Sequence, residues 1–136
     1  MDKEQARARF SAARVARLGT VGRDGRPHLV PVTFAVRGDV VFTAVDHKPK
    51  RTNDLRRLRN IRERPEVCLL ADHYEEDWSR LWWVRADGLA EVLPEDEQDE
   101  PLRALAAKYA QYSEQPPEGP VVRIEVFVWR GWTGER

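Results

Sequence analysis

Apolar positions in this chain recur with two periods, and the changes between them mark out its elements. Residues 2–13 put Ala6, Phe10 and Ala13 on one helical face, with Arg7, Arg9 and Arg14 elsewhere. Residues 15–21 read as a strand, and Gly22-Arg23-Asp24-Gly25 is a hairpin signal. Residues 27–36 continue as a second strand, which Pro27 and Pro31 confine to an edge or a bulge. Arg37-Gly38-Asp39 turns the chain into a third strand, where Val40, Val41, Phe42, Ala44 and Val45 are apolar and Thr43 is the one hydroxyl. A short helix follows, with Leu55, Leu58 and Ile61 at helical spacing and Thr52, Asn53 and Asp54 supplying cap chemistry.

Residues 66–74 form the fourth strand and residues 81–92 the fifth, with Gly88 permitting a bend or bulge. Acids open a helical stretch from residue 94 whose apolar face is Leu102, Leu105, Ala106 and Tyr109, and a proline-rich loop spans residues 113–119. Residues 121–129 alternate strictly. Val122, Ile124, Val126 and Val128 point one way, and Val121, Arg123, Glu125, Phe127 and Trp129 the other. Six strands with two helical connections predict a mainly β fold, a closed six-stranded antiparallel barrel with flanking helices. The hairpins are too tight for the crossovers of a parallel sheet.

The 136 residues suit one domain, residues 1–136. Lys and Arg number 23 and so do Asp and Glu, so no overall charge draws the chain to nucleic acid or membrane. The charge is segregated instead. Residues 48–64 hold eight Lys or Arg against Asp54 and Glu63, and residues 91–100 hold six acids and no base. One cysteine, Cys68, permits no internal disulfide, and its place on an apolar strand predicts a buried, inert thiol. No apolar run is long enough to span a bilayer and the first nine residues are too polar for a leader, which predicts a cytoplasmic protein. His28, His47 and His73 lack ligand spacing, so no metal is expected. Trp78, Trp82, Trp83, Trp129 and Trp132 offer more aromatic surface than one small core uses, which fits a homodimer with a ligand pocket at its interface.

The chemistry concentrates where the third strand meets the basic helix. Lys48, Lys50 and Arg51 sit beside the expected start of that helix, where free amide N–H groups and the helix dipole also favour an anion. A phosphate suits such a spot; the plainer reading is a solvated basic loop. Arg56, Arg57, Arg59 and Arg62 wrap more than one face of the helix and read as a solvated surface. No carboxylate pair, Ser-His-Asp set or Cys-His dyad stands out.

The order of motifs resembles the flavin-binding split-barrel superfamily of pyridoxamine-phosphate-oxidase-like proteins, and within it the short oxidoreductases that use the deazaflavin coenzyme F420. Leu18-Gly19-Thr20-Val21 with Gly25-Arg26-Pro27-His28 is similar to the family's opening, and Pro31-Val32-Thr33-Phe34 to the strand beneath the cofactor ring. Phe42-Thr43 with Lys48-Pro49-Lys50-Arg51 resembles the strand and turn that hold the ribityl phosphate. Leu58-Arg59-Asn60-Ile61 through Val67 resembles the helix-to-strand signature, and Trp83-Val84-Arg85-Ala86-Asp87-Gly88 with Ala90-Glu91-Val92 the strand that reaches the partner's cofactor. The resemblance implies a homodimer with two equivalent cofactor sites. Val32, Thr33 and Phe34 would line the ring, and Thr43 would contact the ribityl chain or ring edge. Lys48, Lys50 and Arg51 would bind phosphate, and Trp83 and Arg85, with Trp132, would come from the facing chain. The implied activity is F420-dependent reduction of a small unsaturated or polycyclic molecule; alternatives are an FMN-dependent oxidoreductase and a non-enzymatic cofactor carrier. Pyridoxamine phosphate oxidation itself is disfavoured, because residues 129–134 lack that enzyme's Arg-x-His-x-Arg motif.

Overall fold

The computed structural model describes residues 1–45 and 55–135. Seven strands form one antiparallel sheet: β1 (Ala16–Val21), β2 (Pro27–Val32), β3 (Ala35–Arg37), β4 (Val40–Ala44), β5 (Glu66–His73), β6 (Trp82–Val92) and β7 (Val121–Thr133). Their order is β2-β1-β5-β6-β7-β4-β3. The helices are α1 (Lys3–Ala12), α2 (Arg56–Glu63), α3 (Asp99–Lys108) and α4 (Ala110–Glu114).

The expected count of six strands is corrected to seven. Residues 27–36 were expected as one strand, but β2 and β3 lie at opposite ends of the sheet order, with only Thr33 and Phe34 between them. Three Cα steps reach at most about 11 Å. The two edges of the sheet are therefore drawn together, and the sheet is rolled into a barrel whose seam is this dipeptide. As Pro27 and Pro31 required, β2 pairs on one side only, with β1.

Side chains on the inner faces meet α1 and α2 in the main core. Asp2 caps α1 in a reciprocal capping box with Gln5, and the helix buries Ala6 and Phe10 over the barrel end. The Phe10 ring lies 4.7 Å from Phe34 and 5.4 Å from Trp129. Leu58 and Ile61 of α2 are buried as their spacing required, and so is Asn60, whose Nδ2 donates to the buried Thr20 hydroxyl at 3.0 Å. A second cluster joins Ala104, Leu105 and Tyr112 to Ala35 and Phe42. The hairpin closes as expected, with Gly25 at φ 81° and its N–H donating to Gly22 O at 2.9 Å.

The bulge expected near Gly88 is present, but the extra residue sits on the other strand. Asp87 pairs with Val128 and Gly88 with Val126, leaving Phe127 unpaired. The bulge reverses the inward phase of β7, so Trp129 is buried in the core and Val128 is only half-buried. That corrects the strict alternation expected for residues 121–129.

Candidate functional site

Hydrogen bonds tie the hydroxyls at the seam to the backbone and to one another. The Thr33 hydroxyl shares a 2.8 Å hydrogen bond with the Tyr112 hydroxyl, and the Phe34 N–H donates to the Tyr109 hydroxyl at 3.1 Å. Tyr109 in turn donates to Arg14 O at 3.0 Å, and the Thr43 hydroxyl donates to Thr33 O at 2.7 Å. Two clefts meet here, sharing Thr33 and Tyr112. One, of about 220 Å³, is lined by Val15, Pro31, Val32, Ala44 and Arg57; the other, of about 230 Å³, by Arg14, Tyr109, Ala110 and Gln111.

Among the described residues, the lining of both clefts includes arginine and no carboxylate. Arg57 makes no hydrogen bond or ion pair with another described residue, and burial pushes its guanidinium below the ordinary value. An arginine that gives up water without gaining an anion is a cost to the folded chain. On the other side of the seam, Lys108 Nζ lies 3.6 Å above the Phe34 ring and is buried without a hydrogen-bond partner. Burial, and then the charge of Arg14, lower its pKa to about 8. Cations thus flank the seam on both sides, a setting for an anionic ligand.

The residues expected at a site fall into three groups. Val32, Thr33, Phe34 and Thr43 gather at the seam. Of these, Val32 and Thr33 line a cleft, the Phe34 side chain is fully buried behind it, and the hydroxyl of the buried Thr43 holds the Thr33 carbonyl. Trp83 and Arg85 alternate with the inward-facing Val84 and Ala86 and so lie on the outer face of β6. There Trp83 is paired with Asp72 and Trp132, and Arg85 Nε is 3.3 Å from Asp87. Lys48, Lys50 and Arg51, with the cap residues Thr52, Asn53 and Asp54, lie outside the described residues.

That outer face carries a cavity of about 580 Å³ lined by Gly19, Leu29, Cys68, Gly88 and Phe127 among others. Leu29 and Phe127 are 68% and 58% exposed. Cys68 opens onto this face, which corrects the buried thiol expected from its apolar neighbours: Val67, Leu69 and Ala71 take the inward positions of β5. Partial burial, then Asp87, still raise the thiol's pKa, which disfavours the thiolate. Among the described residues no group of three or more His, Cys, Asp or Glu could hold a metal. No helix among them is long and apolar enough to cross a membrane.

Sequence reasoning missed Arg57, Arg14, Tyr109 and Tyr112 at the seam. Arg57 was hidden among arginines that look alike in sequence. The only signal that could have singled it out is its helical phase, since it is the residue before Leu58 that turns toward β4. Arg56 and Arg59 instead line a separate polar cleft with Arg23 and Arg26 of the β1–β2 hairpin, where Arg23 is paired with Glu63 at 2.7 Å.

A rolled antiparallel sheet with rim helices defines the split-barrel class of proteins. The chain belongs to the pyridoxamine 5′-phosphate oxidase family, whose sequence pattern matches residues 2–133. Three solved structures are similar in fold. An FAD-binding protein from Mesorhizobium loti is 19% identical, with a TM-score of 0.73 over 96% of this chain and 94% of that one. The haem storage protein HutZ from Vibrio cholerae is 16% identical, with a TM-score of 0.73 over 98% and 95%. A conserved hypothetical protein from Mycobacterium tuberculosis is 22% identical, with a TM-score of 0.74 over 98% and 86%. No curated protein sequence matches.

Proposed function

We propose that the chain is an oxidoreductase that holds a flavin-type cofactor at the Thr33 seam, coenzyme F420 foremost and FMN as the alternative, and reduces a small unsaturated or polycyclic molecule. The observation that carries this reading is Arg57, a half-buried guanidinium with no anionic partner among the described residues, beside the residues expected under the cofactor ring. The residues fit such a group. Arg57 with Lys48, Lys50 and Arg51 would take the phosphate, and Val32 and Thr33 would lie against the ring. Thr43 would act through Thr33, by fixing its carbonyl. The cofactor supplies hydride chemistry at its central ring; the chain's part is to bind, orient and exclude water. The cleft between α2 and the hairpin, where Arg23 and Arg26 are paired with Glu63 and Asp24, could take the oligoglutamate tail of F420, whose carboxylates FMN lacks, by exchange of those partners.

In the same reading the protein works as a homodimer. The apolar outer face would meet its copy about a two-fold axis, bringing the facing chain's Trp83 and Arg85 to the cofactor. The test is cofactor affinity in two variants, Lys48→Ala with Lys50→Ala, and Arg57→Gln. Charge-assisted hydrogen bonds contribute about 1.5–3 kcal/mol each, so each variant should bind at least about tenfold more weakly. Wild-type affinity in both would sink the phosphate assignment.

A further inference from the structure

We infer that the cleft between Arg14 and Tyr112 takes the carboxylate of a small acidic molecule, the substrate side of the seam; its role as substrate site rests on the cofactor reading, its chemistry does not. The guanidinium of Arg14 is held in one orientation. Its Nη2 donates to Lys108 O at 3.2 Å, and its Cζ lies 4.7 Å from the Tyr109 ring centroid. A cation fixed against an aromatic face is pre-organised, so little side-chain freedom is lost when an anion arrives. Lys108 brings a second positive charge close behind, its Nζ on the Phe34 ring and without a hydrogen-bond partner.

Neither cation forms an ion pair within the described residues. The groups that face Lys108 are Arg14 from the α1–β1 connection, Phe34 from the seam and Tyr109 from the end of α3. None of them carries a negative charge: burial raises the Tyr109 phenol's pKa and keeps it neutral. Lys108 Nζ is buried on Phe34, outside the lining of this cleft, so its charge acts on a bound carboxylate through space and adds to that of Arg14. A carboxylate matches the two parallel N–H groups that one guanidinium can present. Because this cleft shares Thr33 and Tyr112 with that of Arg57, an acid held on Arg14 would extend its remaining atoms across Thr33.

Lys108 also gives the site a pH dependence. Its ammonium loses its proton near pH 8, earlier than an ordinary lysine, and a bound anion stabilises the charged form. Anion affinity should therefore fall as pH rises through that value.

The experiment is a nuclear magnetic resonance titration of the full chain with benzoate and with its neutral analogue benzamide, read at the backbone amides of Phe34 and Gln111. Benzoate should bind at least about tenfold more tightly than benzamide, and Arg14→Gln should lose about tenfold in benzoate affinity. Affinity should decline above pH 8 in the wild type and stay level in Lys108→Met. Arg14 is exposed, so its variant folds and keeps the test valid if Lys108→Met does not. Equal binding of benzamide, full affinity in Arg14→Gln, or tighter binding of phenyl phosphate would each overturn the inference. Flavin titration of the same samples keeps the two readings apart: flavin binding without benzoate binding removes only this inference, and benzoate binding without flavin removes only the cofactor reading.

Discussion

Arg57 and Lys108 are residues the fold tolerates at a cost, and that cost is measurable. Arg57→Gln removes a desolvated charge, so its Tm should equal or exceed that of the wild type even as cofactor affinity falls. A Tm clearly below wild type would mean that the guanidinium serves the fold. Lys108 has a folded pKa of about 8 against an ordinary 10.5. Between those values the unfolded chain binds more protons than the folded one, so stability should rise with pH across that interval. Lys108→Met should flatten the rise. Asp39 carries the opposite linkage. It accepts from Trp129 Nε1 at 3.0 Å and from Arg7 at 2.8 Å, with Lys3 at 3.5 Å, and these contacts hold its carboxyl below the usual range, Trp129 first. A depressed carboxylate stabilises above its unfolded value, near 3.8, and loses that contribution as pH falls through the folded value. Thermal melts of Asp39→Asn should show a Tm lowered at pH 7 and a weaker acid dependence below pH 4.

Among the elements, β7 and its bulge are the most exacting. A Cβ at Gly88 would overlap the Glu125 carbonyl oxygen and come within 2.9 Å of the carbonyl carbon, both backbone atoms that cannot swing away. Gly88→Ala should therefore cost about 1–3 kcal/mol, visible in the denaturant midpoint, whereas a variant as stable as wild type would refute the close approach. A glycine inside an apolar strand pattern signalled this bulge in the sequence. Which strand bulges was not signalled, because that depends on the register between β6 and β7, and so the inward turn of Trp129 was not legible. Local chemistry sufficed for α1, whose Asp2 and Gln5 form the capping box, and for the glycine turns at Gly25 and Gly38. It failed at Cys68, where apolar neighbours on both sides concealed which face was the core.

For the whole molecule, the sequence indicated a closed barrel but concealed where it closes. Residues 27–36 read as one continuous strand, and nothing local to Thr33-Phe34 announces that the chain there passes from one sheet edge to the other. The decision is made by partners far away in sequence: Tyr109, Tyr112 and Thr43 supply the hydrogen bonds that fix the seam. The same distant partners build the candidate site, which is why half of its residues went unseen. Assembly is the next level. Phe127 lies on the exposed apolar face, so under the proposed dimer Phe127→Asp should lower the mass in sedimentation from dimer to monomer and weaken cofactor binding with it. A variant of unchanged mass would contradict the proposed dimer through this face.

The central claim is that cations around the seam were placed for a phosphate ester. The most direct measurement titrates the purified chain with F420, FMN and riboflavin, following tryptophan quenching. Riboflavin presents the same ring system as FMN without the phosphate. We expect F420 and FMN to bind at least about a hundredfold more tightly than riboflavin, as two or more charge-assisted contacts require. Equal affinities for FMN and riboflavin would contradict the account.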